Sequence, residues 1–173
     1  MSNKLQRGLY TGRFQPFHLG HLSAIKQALD TVDFLYIAIG STQYSHDNYN
    51  PFTINERVEI IQKALEEKRI SKKLFKIIPI PDINDNAAWP AYVQKLVPKF
   101  DIVFVGDDGL VKELFEKYTE IPVKIVKHEI DICATDIRKA ILADNNWKKY
   151  LCDSTVEYIE KIGGIKRIKS FVQ

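Results

Sequence analysis

The sequence predicts an α/β fold in which five parallel strands carry helices on both faces and a helical extension follows at the C-terminus. Three observations predict it. Short runs rich in Ile, Val, Phe and Tyr alternate with longer segments of helical period, the pattern of βαβ units. Apolar residues form 45% of the 173 residues, enough to build a core without disulfides or a structural metal. The apolar runs are also too short for helices and continuous enough to be buried on both sides, as parallel strands are.

The strands are expected at Gly8 to Thr11, Phe34 to Ile39, Phe75 to Ile80, Ile102 to Val105 and Val123 to Val126. His21 to Val32 sets Leu22, Ile25, Ala28, Leu29 and Val32 at helical spacing and makes the first crossover helix. The second opens at Thr53, whose hydroxyl caps while Glu56 reaches back, and ends near Lys68. Trp89 to Val97, with Pro90 in its first turn, and Leu110 to Tyr118 give two more. Thr135 to Leu142 starts the C-terminal part, which spans about residues 135–173. There Ser154 and Glu157 read as a capping box for a helix to about Ile162, Gly163-Gly164 stops it, and Ile165 to Phe171 adds a last turn. One long polar loop, Gly40 to Phe52, interrupts the regular alternation, and loops of that length are usually functional.

Length and composition narrow the class. The chain, residues 1–173, is expected to form a single domain. Lys and Arg number 25 against 22 acidic residues, a balance of +3 that falls far short of a dedicated nucleic-acid binder, so any anion site must be local. The basic tail (Lys161, Lys166, Arg167, Lys169) reads as a solvated helix face. Cys133 and Cys152 have no paired spacing, which speaks against zinc ribbons and secreted disulfide scaffolds and suits a reducing cytoplasm. The longest apolar run, Phe34 to Ile39, is much shorter than a membrane span, and no signal peptide is legible, so no membrane association is expected.

The stretch richest in chemistry is Gly12-Arg13-Phe14-Gln15-Pro16-Phe17-His18-Leu19-Gly20-His21, between the first strand and the first helix. At the carboxyl end of a parallel strand the loop faces solvent, and the next helix offers free N–H groups and about half a positive charge. Phosphate is the natural ligand of such a place. Gly20 lets a nucleotide approach the backbone. His18 and His21, three apart at a helix start, face the same ligand. A zinc reading is weak, since His46 and His128 are remote in sequence and no third ligand is near.

His18-Leu19-Gly20-His21 resembles the H-x-G-H signature of a nucleotidyltransferase superfamily, and Cys133-Ala134-Thr135-Asp136-Ile137-Arg138 resembles its Ser-x-Thr-x-x-Arg segment, with cysteine in place of serine. Gly-Arg-Phe-Gln-Pro at 12–16, Gly40-Ser41-x-Gln43, Asn50-Pro51-Phe52-Thr53-x-x-Glu56-Arg57 and Pro81-Asp82-Ile83-Asn84-x-Asn86-Ala87-x-Trp89 are similar to the archaeal type of nicotinamide-mononucleotide (NMN) adenylyltransferase, and the likeness runs from Arg7 to about Lys169. At Tyr49 that family usually carries Lys or Arg, and Gly106-Asp107-Asp108 stands for its usual Gly-Asn.

The resemblance implies a Rossmann-like nucleotidyltransferase fold, a homohexamer, and the reaction of ATP with NMN to give NAD and pyrophosphate. It implies catalytic roles for His18, His21, Arg13 and Arg138. ATP contacts would come from Gly12, Phe14, Gly20, Gly106, Asp108, Cys133 and Thr135. NMN contacts would come from Gly40, Ser41, Ile83, Asn86 and Trp89. Mg²⁺ would arrive with ATP, without a dedicated metal cluster on the protein. Two rivals are a transferase of the same fold acting on pantetheine phosphate, FMN or a polyol phosphate, and a non-catalytic nucleotide-binding protein. The Ile83, Asn86 and Trp89 cluster opposes the first.

Overall fold

A computed structural model describes residues 5–106, 109–127 and 130–171. Five parallel strands form one sheet in the order β3-β2-β1-β4-β5. They are β1 (Arg7–Gly12), β2 (Phe34–Ile39), β3 (Phe75–Pro79), β4 (Ile102–Val105) and β5 (Val123–Ile125). All five lie where the apolar runs predict, with ends shifted by one residue at most.

The strands alternate their side chains between two cores, because successive residues of a strand point to opposite faces. Tyr10, Leu35, Ile37, Ile39 and Phe104 enter one core, and Leu9, Tyr36, Ala38, Val103 and Val105 enter the other. The first core is covered by α1 (Leu19–Leu29), α2 (Ile54–Glu67), α5 (Ala134–Leu142), α6 (Asp153–Lys161) and α7 (Gly164–Ser170). The second is covered by α3 (Trp89–Leu96) and α4 (Leu110–Tyr118). Consecutive numbering reverses direction between β2-β1 and β4-β5, so the crevice for a ligand opens at the carboxyl end of β1.

Three helices differ from expectation in how they begin. α1 starts at Leu19 and ends at Leu29, because His18 serves as its N-cap and Asp30 closes it. The Ser154–Glu157 capping box does not form: α6 begins at Asp153, and both the N–H and the hydroxyl of Ser154 donate to Glu67 at the end of α2, at 2.9 and 2.7 Å. A tertiary carboxylate has replaced the local one. Gly163, at φ 68°, acts as the N-cap of α7 rather than only as a stop, a left-handed geometry that glycine adopts without strain. A 3₁₀ turn at Lys148–Tyr150 carries no sequence signal we recognise. Thr53 caps α2 as predicted, with both halves of its box made. Among the described residues no helix is long and apolar enough to cross a membrane.

Candidate active site

The β1–α1 loop turns its two histidines into a reciprocal cap. The Nδ1 of His18 accepts the main-chain N–H of His21 at 3.4 Å, and the Nδ1 of His21 accepts that of His18 at 3.3 Å. The rings stack with centroids 3.6 Å apart. A ring whose Nδ1 accepts a hydrogen bond carries its proton on Nε2 when neutral. The His21 ring is further held by Phe17, stacked at 5.5 Å, and by Phe14, edge-on at 4.9 Å. Phe14 is 1% exposed, so its side chain supports His21 and only its backbone can face a nucleotide. Gly20 is buried in the first turn of α1, and at Gly12 a Cβ would press on the Phe14 ring at 3.0 Å.

Arg138 comes to the same loop from α5. Its Nη1 donates to the Gln15 carbonyl at 2.8 Å and its Nη2 to the Thr135 hydroxyl at 3.2 Å. Gln15 in turn pairs with Phe52 of the long loop through both side-chain amide atoms, each at 2.9 Å. Burial, together with repulsion from the Arg13 guanidinium, lowers the pKa of Arg138. Such a concentration of positive charge suits a polyphosphate. Cys133 is the exposed N-cap residue of α5, with its thiol donating to Asp136 at 2.9 Å.

An open cleft of 620 Å³ lies beside this loop and is of a size that holds small organic ligands. Gly12, Arg13, Gly40, Ser41, Ile83, Asn86 and Trp89 line it together, although they come from the end of β1, the loops after β1, β2 and β3, and the start of α3. Trp89 is fixed from behind by an edge-to-face contact with Phe115, 5.9 Å between centroids. The hydroxyl of Ser41 is already bound to Asp82 at 2.5 Å. Gly106 follows the carboxyl end of β4, and Asp108 lies outside the described residues.

Sequence reasoning missed several contributors. Tyr44, Asp82, Asn84, Leu110, Val111 and Leu114 also line the cleft. Arg57, fully buried, donates to three main-chain carbonyls of the site. A signal for Arg57 existed, since it falls on the buried face of α2 with Ile60, Ile61, Ala64 and Leu65. Among the described residues no three His, Cys, Asp or Glu side chains converge to hold a metal ion.

Comparison with known proteins bears on this arrangement. The cytidylyltransferase-like family model matches residues 9–161. The nicotinamide-nucleotide adenylyltransferase of Thermococcus sibiricus is 44% identical over 165 residues, covering 94% of this chain and 88% of its own. The chain belongs to the nicotinamide-nucleotide adenylyltransferase family. The family member from Pyrococcus furiosus is likewise 44% identical, over 168 residues, and that from Saccharolobus solfataricus is 41% identical and matched over 98% of its length. The fold is shared with a bifunctional NMN adenylyltransferase/ADP ribose pyrophosphatase from Francisella tularensis, complexed with AMP and a manganese ion, at a TM-score of 0.82 and 24% identity. This chain aligns over 98% of its length with 52% of that one, so it spans about half of the bifunctional protein. This likeness shows that the family member has a Rossmann-like α/β fold, in keeping with its five-stranded parallel sheet.

Proposed function

We propose that the chain transfers the adenylyl group of ATP to NMN, releasing NAD and pyrophosphate. One observation carries the reading: groups suited to phosphate (Gly12, Arg13) and groups suited to a flat cationic amide (Trp89, Asn86, Ile83) share one cleft. The indole stacks a pyridinium ring, and the Asn86 amide pairs with a carboxamide. The identities with archaeal adenylyltransferases support the same reaction.

The chemistry requires little beyond positioning and charge. The NMN phosphate is already a nucleophile near neutral pH, so no general base or covalent intermediate is needed for in-line attack on the α-phosphorus. The obstacle is repulsion: two like charges 4 Å apart repel by about 1 kcal/mol in water and about 4 kcal/mol at an effective dielectric of 20. His21 donates from Nε2 to the α-phosphate as charge builds there, and His18 binds phosphate beside it. Arg13 orients the two phosphate groups, and Arg138, with Thr135 and the α5 N-terminus at Cys133, holds the β- and γ-phosphates.

The guanidiniums at the loop repel a cation, and its imidazoles, with Nδ1 engaged by main-chain N–H groups, present N–H at Nε2, so the loop fits phosphate oxygens rather than hard Mg²⁺. Mg²⁺ would therefore come with ATP rather than on protein ligands, and would supply charge neutralisation when bound. The setting of this reading is the cytoplasm, and its assembly is the homohexamer implied by the family resemblance, which sedimentation would test. Purified protein given ATP, Mg²⁺ and NMN should form NAD and pyrophosphate in equal amounts. Failure to form NAD while pantetheine phosphate, FMN or a polyol phosphate is adenylylated would reject the assignment.

A further inference from the structure

Arg57 is 0% exposed, an unusual state for a group so costly to take out of water. Its hydrogen-bond partners are main-chain oxygens rather than a carboxylate. Nη1 donates to the carbonyl of Arg13 at 3.1 Å and of Gly40 at 2.8 Å, and Nη2 to the carbonyl of Ser41 at 3.1 Å. One planar fork thus ties the loop after β1 to the loop after β2.

Both loops hold a backbone that would not persist unaided. Phe14 sits at φ 53° and Ser41 at φ 56°, left-handed conformations that residues with a Cβ disfavour. The Arg13 carbonyl belongs to the peptide plane that sets φ of Phe14, and the Gly40 carbonyl to the plane that sets φ of Ser41. Arg57 therefore grips the peptide plane that governs each strained residue. From the other side, Asp82 accepts the Ser41 N–H at 3.1 Å and its hydroxyl at 2.5 Å. Asp82 is itself fastened by Gln43, whose side-chain amide bonds its main-chain N–H and carbonyl at 2.9 and 3.0 Å.

We propose that Arg57 is a positioning residue of the active site, clamping the Arg13–Phe14 and Gly40–Ser41 turns, against Asp82, in the geometry that aligns the two substrates. The inference rests on the adenylyl-transfer reading. Through Phe14 the clamp reaches the His21 ring, and through Ser41 it reaches the cleft wall. Burial lowers the Arg57 pKa to about 10, with Asp82 opposing and Arg13 adding to the shift, so the fork stays charged at neutral pH. A lysine would keep the charge but not the fork.

The test compares wild type, Arg57→Lys and a core control, Ile159→Val, in assays of NAD formation and in amide hydrogen exchange. Ile159 is buried in α6 and has no place in the site. Arg57→Lys should lower kcat about 100-fold, the scale of a small misplacement of reacting groups, while Ile159→Val leaves it within about twofold of wild type at 25 °C. Exchange at Gly40 and Ser41 should quicken in Arg57→Lys, with the amides of α6 unchanged. A kcat within about threefold of wild type, or exchange that quickens evenly along the chain, would overturn the clamp and leave a merely structural arginine. If Arg57→Lys does not fold, Asp82→Ala removes the opposite jaw and should give the same local exchange at Ser41; unchanged exchange there overturns the proposal. Wild type that forms no NAD refutes the adenylyl-transfer reading alone, because the exchange comparison still tests the clamp.

Discussion

His18 and His21 cap each other: each ring takes the other residue's main-chain N–H on Nδ1, at 3.4 and 3.3 Å, in a box where serine and glutamate more often serve. In the proposed reaction, structure and chemistry use opposite edges of the same ring, Nδ1 for the helix start and Nε2 for the phosphate. Substitutions that imitate one edge separate the two roles. Asparagine at 21 can offer an oxygen close to the Nδ1 position and nothing at Nε2. His21→Asn is expected to melt within a few degrees of wild type, since a retained cap limits the loss to about 0.5 kcal/mol, yet to lose about 100- to 1000-fold in kcat. A thermal scan beside a steady-state assay reads both, and retained turnover would remove His21 from the chemistry.

The proposed reaction puts Trp89 on the acceptor side of the cleft, so its loss should be felt by one substrate. Stacking on a cationic ring is worth about 0.5 to 2 kcal/mol, and Trp89→Ala should raise KM for NMN about 2- to 30-fold while KM for ATP stays within about twofold. Trp89→Phe keeps a flat face against Phe115 and should recover part of the loss. Equal increases in both constants would mean that the indole shapes the cleft as a whole.

The sheet was legible because its signal is local: each strand is an uninterrupted apolar run, as at Phe34–Ile39, and burial on both faces leaves no other reading. The β1–α1 loop was legible for a similar reason, ten residues of unusual composition set between a strand and a helix. Arg57 and Asp82 were not, although both stand inside segments the sequence singled out. Their partners, Gly40 and Ser41, lie 16 to 41 residues away and are reached partly through main-chain atoms, which no side-chain pattern encodes. Ser154 shows the converse. Its box with Glu157 was a sound local prediction, overridden by Glu67, which lies 87 residues back.

Cys133 heads α5 with no side-chain cap on the helix, and its thiol instead donates to Asp136 at 2.9 Å. Serine there would accept a main-chain N–H of the first turn and bring a hydroxyl to the proposed site of the distal phosphates. Cys133→Ser should therefore stabilise the protein by about 0.5 to 1 kcal/mol and lower KM for ATP. Calorimetry and kinetics measure the two effects separately. A higher KM for ATP would show that the thiol itself serves the nucleotide.

The C-terminal extension is fastened to the first turn of α2, and to the end of the long loop before it, by an ion pair whose pH dependence can be derived. Arg167 forks onto Glu56 at 2.6 and 2.9 Å and also donates to the Pro51 carbonyl at 3.1 Å, while Gly164 leaves room for the Phe52 ring, which a Cβ would meet at 2.8 Å. Burial alone would raise the Glu56 pKa, but the Arg167 hydrogen bonds and the Thr53 cap outweigh it and hold the carboxyl below its ordinary value. A carboxyl depressed in the folded state favours folding above its unfolded pKa of about 4.3, and the benefit is lost as pH falls through the folded value. Wild type should thus lose melting temperature steeply below about pH 4.3, relative to its plateau near pH 7. Glu56→Gln, which keeps the shape but drops the charge, should be less stable at pH 7 by about 1 to 3 kcal/mol and should converge on wild type in acid. The gap between the two melting curves isolates this pair from the other carboxylates. A gap that stays constant from pH 7 to pH 3 would mean that the contact acts through packing, and that the extension is held by Phe52 and Gly164 rather than by charge.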